Sequence, residues 1–124
     1  MTATSTLLPP KTLQQIPSSR EMPKEGRMYA IAFDMDIESL RSNYGDPYNG
    51  AYLEIRKILQ EHGFTWQQGS VYFGGERINA VTCVLAAIDL SRQLPWFAAS
   101  VRDIRMLRIE ELNDLMPAVQ QAQE

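Results

Sequence analysis

Met28-Tyr29-Ala30-Ile31-Ala32-Phe33-Asp34 reads as a strand that runs into a carboxylate, with a second carboxylate two residues on at Asp36. An apolar run of this length bounded by a loop is a core strand. A strand end can hold a charged side chain in solvent while the sheet behind it fixes its position. Asp34 therefore suits carboxylate-assisted or metal-assisted chemistry. The plainer reading, that it terminates the strand and caps the next turn, stands beside it, because Asp is a common terminator.

Outward from this strand the chain has a consistent period. Asp36 to Tyr44 holds room for one short helical turn. Asp46-Pro47 then predicts an N-cap followed by proline at the first helical position, and Tyr48, Ala51, Tyr52, Ile55 and Leu59 follow at helical spacing to a stop at Gly63. Phe64 to Phe73 reads as two short strands, broken by a bulge or turn at Gly69. Ile78 to Leu94 predicts a second helix, ended by Pro95. Its apolar residues on nearly all sides predict burial on two faces, by the sheet and by a partner. Val101 to Ile109 admits a helix, on which Arg102, Arg105 and Arg108 would form one basic stripe, or a strand with Ile104, Met106, Leu107 and Ile109 covering both faces. Two-sided burial favours the strand. The order β-α-β-β-α-β predicts an α+β ferredoxin-like sandwich, two helices on one face of an antiparallel sheet. Its other face predicts a homodimer formed through the sheets or their edges.

With 124 residues the chain is one domain, and 44% hydrophobic residues give it a real core. Residues 1–27 differ: they are rich in Thr, Ser, Pro and Gln, with four basic and two acidic residues, and read as a disordered arm. Met28 stands where a compact domain would begin and is a candidate start of translation. The domain is expected over 28–117, with 118–124 as a tail. No run reaches the roughly 18 apolar residues that span a bilayer, so no membrane role is expected. A lone cysteine, Cys83, excludes an internal disulfide and fits a reducing cytoplasm; its apolar setting makes it a small core residue. The single histidine, His62, rules out a His-pair metal site within one chain, and beside Gly63 it is expected to serve the helix C-terminus. A net charge of −3 argues against a protein that coats nucleic acid, though a few arginines can still make a local contact.

Three blocks carry a family resemblance: Met28 to Asp34, then Gln68-Gly69-Ser70-Val71-Tyr72, then Ser100 to Arg105 with Arg108-Ile109-Glu110. In this order and spacing the chain resembles the virulence-associated protein D (VapD) family over nearly all of 28–115. The resemblance implies a small cytoplasmic endoribonuclease, often the toxin of a toxin–antitoxin pair with a cognate antitoxin. It also implies a fold shared with the small CRISPR-associated endoribonucleases, which are ferredoxin-like homodimers. In that wider group an Asp at the end of the first strand faces its twin across the dimer axis, and Asp34 holds the matching position. Gln68, Ser70, Val71 and Tyr72 match the group's middle-strand pattern.

Two chemistries then stay open. Facing Asp34 carboxylates, one per subunit, would hold a magnesium ion that polarises a phosphate and activates water, with Asp36 joining them or capping the next turn. Alternatively the 2′-hydroxyl of RNA attacks the phosphate without a metal, with Asp34 as base and one of Arg102, Arg105 and Arg108 on the phosphate. The remaining arginines are expected to pair with Asp103, Glu110 or Glu111, or to cover the sheet edge. Ser70 is a candidate hydrogen-bond donor, against a turn or sheet role. Tyr72, Phe33 and Trp66 are candidate surfaces for a stacked base, against a core or interface role. A non-catalytic dimeric scaffold is the rival function, since one fold hosts many. A small-molecule sensor is a third reading, which the lone Gly74-Gly75 pair supports poorly.

Overall fold

The computed structural model describes residues 28–123; the arm expected over 1–27 lies outside them. Its elements are β1 (Met28–Met35), α1 (Ile37–Asn43), α2 (Asn49–Glu61), β2 (Phe64–Gln68), β3 (Val71–Gly74), α3 (Ala80–Gln93), α4 (Phe97–Ser100), β4 (Val101–Ile109) and α5 (Met116–Ala122). The sheet order is β2-β3-β1-β4 and every pairing is antiparallel. That is the ferredoxin-like sandwich predicted from the element order, and β4 is a strand, but as an edge strand it buries none of its residues within the chain, so the two-sided burial expected of it is not met.

Alternation along β1 divides the sheet into two faces. Ile31, Phe33 and Met35 join Tyr72 and Phe64 beneath Ile55, Ile58 and Leu59 of α2 and Cys83, Ala86 and Leu90 of α3. Burying each of the larger side chains contributes about 1.5–3 kcal/mol, which holds both helices to this face. The second face carries Ala30, Ala32 and Asp34 of β1, Val71 and Phe73 of β3, and Asp103, Arg105, Leu107 and Ile109 of β4. Ala30 is fully buried there, flanked in register by the larger Phe73 and Leu107. Among the described residues this face has no helix layer.

Several boundaries differ from those read off the sequence. The first long helix begins at Asn49 with Tyr48 at its N-cap; Asp46 lies before it, beyond a cis Asp46–Pro47 bond, and pairs with Arg41 at 3.9 Å. The third helix begins at Ala80, because Asn79 and Thr82 form a reciprocal capping box there. The stop at Gly63 and the turn at Gly69 hold, with φ of 96° and 51°, the left-handed region that glycine enters without a Cβ penalty. The segment expected as a tail falls largely within α5, which buries none of its side chains.

Candidate active site

Asp34 stands opposite Asp103, and one step on Met35 stands opposite Val101, so β4 carries one residue more than β1 at this point. The extra residue is Arg102. A bulge re-aims the side chain it releases, and here Arg102 turns to the carboxylates at the end of β1. Its Nη1 donates to Asp34 Oδ2 at 3.5 Å, and its Nη2 lies 3.9 Å from Asp36 Oδ2. The side chains of Asp34 and Arg102 are each 61% exposed, so the pair lies open to a ligand.

The backbone around this pair is pinned. Asp36 Oδ1 accepts the Ser39 N–H at 3.1 Å and so N-caps α1, while the Asp36 N–H donates to the Ser100 carbonyl at 2.8 Å. Ser100, completely buried, donates from its hydroxyl to the Ser39 carbonyl and accepts from Asn43 Nδ2. These bonds fasten α1 to the start of β4 and fix Asp36 against Arg102. Asp36 thus takes the capping role through one oxygen and faces Arg102 through the other.

The other candidates are distributed unevenly. Ser70 lies half-buried in the β2–β3 turn, its carbonyl accepting the Phe33 N–H at 3.1 Å, which sets it beside the Asp34 end of β1. Arg105 is opposite Ala32 on the second face and is held by Asp103 at 3.0 Å. Arg108 stands opposite Tyr29, about 17 Å along the strand from Asp34 at ~3.3 Å per residue. It pairs with Glu110 at 3.0 Å. Arg102 is therefore the arginine brought to the carboxylates, and Arg108 is not part of this cluster.

Tyr72 corrects the expectation of a base-stacking surface: it is 2% exposed, packed under the helices and stacked on Phe33 with ring centroids 6.1 Å apart. Burial pushes its phenol upward against the pull of the nearby Arg56 guanidinium. Phe33 is buried for the same reason. Trp66 keeps some exposure, but Arg56 covers one ring face at 4.1 Å and its Nε1 donates to the Gly69 carbonyl. His62 caps α2 as expected, yet its ring is directed to Asp89 of α3, with Nε2 2.8 Å from Oδ2. Cys83 is buried and its thiol is pushed up by that burial, so it is no nucleophile.

Tyr48 and Tyr52 are further aromatics, not singled out in the sequence as site candidates. They are half-buried on α2, with centroids 6.3 Å apart, and Arg41 lies 5.4 Å from the Tyr48 ring centre. The phenol of Tyr52 is raised by burial first, then by Tyr48 and by the negative charge of Asp34. Their i, i+4 spacing was legible as one helix face.

A ferredoxin-like sheet with this carboxylate at the end of its first strand matches the family described as CRISPR associated protein Cas2, whose model covers residues 27–114. Within that wider family the chain belongs to the VapD family. It is 55% identical over 93 residues to Endoribonuclease VapD 2 of Riemerella anatipestifer, covering 74% of this chain and 99% of that protein. It is also 55% identical over 92 residues to an Endoribonuclease VapD homolog of Helicobacter pylori, covering 74% and 96%. The Endoribonuclease VapD of Dichelobacter nodosus is 48% identical over 95 residues, covering 77% and 100%.

Proposed function

We propose that the chain is an endoribonuclease that cleaves single-stranded or messenger RNA as a homodimer, with Asp34 and Arg102 at its centre. The observation that carries this reading is the β4 bulge that aims Arg102 at two carboxylates on an open sheet end. The names of relatives at up to 55% identity support the same activity.

In the metal-free route Asp34 accepts the proton of the RNA 2′-hydroxyl as that oxygen attacks the adjacent phosphorus. Arg102 moves from the carboxylates to the phosphate oxygens, where negative charge develops. The P–O5′ bond breaks, the leaving oxygen takes a proton from solvent water while Asp34 keeps the one it accepted, and the products are a 2′,3′-cyclic phosphate and a 5′-hydroxyl. Arg105, one position along the second face, is placed to hold a flanking phosphate once it leaves Asp103. Ser70 offers a hydrogen bond to the same strand of RNA, and Tyr48 with Tyr52 offers a partly exposed surface to a neighbouring base.

A hard cation is the alternative partner of the same carboxylates, which it would take once Arg102 has left Asp34 and Asp36. Asp34, joined by its twin across the dimer axis, would hold Mg²⁺ with water completing the shell. The ion would polarise the phosphate and lower the pKa of a bound water. The toxin role, with a cognate antitoxin and a cytoplasmic setting, belongs to the same proposal and draws its support from the family resemblance.

Cleavage of a labelled single-stranded RNA by the wild type and by Asp34→Asn, each in magnesium and in EDTA, tests the reading. Cleavage lost in the variant establishes the role of Asp34. Loss in EDTA as well selects the magnesium route, and cyclic phosphate ends formed in EDTA select the 2′-hydroxyl route. A folded dimer that cuts none of several RNAs sinks the proposal in favour of a scaffold.

A further inference from the structure

Trp66 is held in one orientation by two contacts. Its Nε1 donates to the Gly69 carbonyl at 2.9 Å, and the Arg56 guanidinium lies 4.1 Å from the ring centre on one face. The residue is nonetheless 38% exposed, so its exposure belongs to the opposite face and the outer rim. A ring fixed in this way with one face open is a platform whose ordering cost is met before anything binds.

Arg56 stands apart from the other arginines. Among the described residues it is the one arginine that is not largely exposed, and it makes no ion pair. Arg41, Arg102, Arg105 and Arg108 each have a carboxylate partner. The Arg56 Nε is buried without a hydrogen-bond partner. Its guanidinium is near enough to Tyr72 to oppose the rise that burial imposes on that phenol. A half-buried cation with no counter-charge costs the fold stability, so packing alone gives no reason to keep it. An anion arriving from outside would supply the missing charge.

Both residues relate to Asp34 through the fold. Arg56 follows Tyr48 and Tyr52 at i, i+4 and i+8 along one face of α2, and Tyr52 feels the negative charge of Asp34. Trp66 stands opposite Tyr72, and Tyr72 opposite Ile31. Two strand spacings across the sheet and three residues along it put the Trp66 backbone on the order of 14 Å from that of Asp34.

We propose that the open face of Trp66 stacks a base of the single-stranded RNA a few nucleotides from the scissile phosphate, while Arg56 behind it supplies positive charge to the strand's phosphates. Every base has a π-face, so such stacking tolerates any sequence. The subsite therefore sets the length of RNA that is gripped, not its sequence. The inference rests on the RNA reading of the proposed function and adds to it a contact remote from Asp34.

The test follows tryptophan fluorescence in an Asp34→Asn background, where the proposed chemistry is silenced, with every variant checked for folding by circular dichroism. Oligoadenylate of about ten nucleotides, within the usual footprint of a single-strand groove, is expected to quench the emission. Trp66→Phe should remove that quench, since Trp96 is the only other tryptophan in the chain. Anisotropy of the labelled oligonucleotide should show Kd raised roughly tenfold by Trp66→Leu, the scale of one lost stack. Arg56→Gln should lessen the slope of log Kd against log salt by about 0.7, one phosphate's share, which a purely structural arginine would leave unchanged. An unchanged Kd in Trp66→Leu, or a quench that persists in Trp66→Phe, overturns the subsite and leaves the nuclease reading standing. No binding to the folded protein overturns the subsite too, and if the wild type also cuts no RNA the nuclease reading falls with it.

Discussion

Asp34 and Arg102 attract each other across 3.5 Å while both remain largely in water. An exposed pair of this kind adds at most about 1 kcal/mol to stability, so its selection as structural glue would be poor. On the proposed reading it keeps a guanidinium poised over two carboxylates, from which a phosphate would take it. Arg102→Ala is accordingly expected to lower kcat by on the order of 10²-fold, as loss of a transition-state donor does, with little change in Tm. Arg102→Lys should recover part of the rate, since it restores the charge without the planar fork. Tyr52 makes a different prediction. Its raised phenol stays protonated at neutral pH, so it acts through its ring and not as a base. Tyr52→Ala should raise KM for a short RNA roughly tenfold, the scale of one lost base stack, while Tyr52→Phe should leave KM near the wild-type value.

At the scale of elements, two devices position the site: the bulge that frees Arg102 and the Asp36 N-cap that fixes where α1 leaves the sheet. A third device joins the helices above it. His62 at the end of α2 and Gln93 of α3 both meet Asp89 Oδ2, at 2.8 and 2.9 Å. The hydrogen bond from His62 comes first among the causes that hold the Asp89 carboxyl below its usual value. A carboxyl depressed in the folded state contributes stability above its unfolded pKa, and that stability is lost as pH falls through the folded value. Asp89→Asn should therefore lower Tm at neutral pH. The difference from the wild type should close as the pH is taken below the folded value, a comparison thermal melts across an acid series will make.

For the whole molecule the open sheet face is where the proposed dimer would form. Ala32, Val71, Phe73 and Leu107 make it largely apolar near its middle, with Asp34, Asp103 and Arg105 gathered toward one end. A second copy stacked there would bring two Asp34 carboxylates toward one axis and shield the apolar part. Leu107, 43% exposed at this face, is a direct probe. Leu107→Glu should shift sedimentation from dimer to monomer and reduce RNA cleavage in proportion to the dimer lost. Retained cleavage by a monomer would show that one subunit carries the whole centre.

Period and composition were enough to place the four strands and the two long helices, because alternation at two and at 3.6 residues is a local property of the chain. The same reading placed Asp34 at the end of β1, the glycine turns at Gly63 and Gly69, the burial of Cys83, and the pairing of some of the three arginines with neighbouring acids, without saying which. Local pattern misled at Asp46–Pro47, where capping residues stand ahead of a helix that starts later. It also misled at Tyr72, since alternation cannot say which sheet face the helices will cover. The choice among three evenly spaced arginines needed the register of β4 against β1, which a bulge shifts by one residue. The influence of the Asp34 charge on Tyr52 needed the packing of α2 on the sheet. Both are long-range relations, fixed by which surfaces bury one another and by no short stretch of sequence.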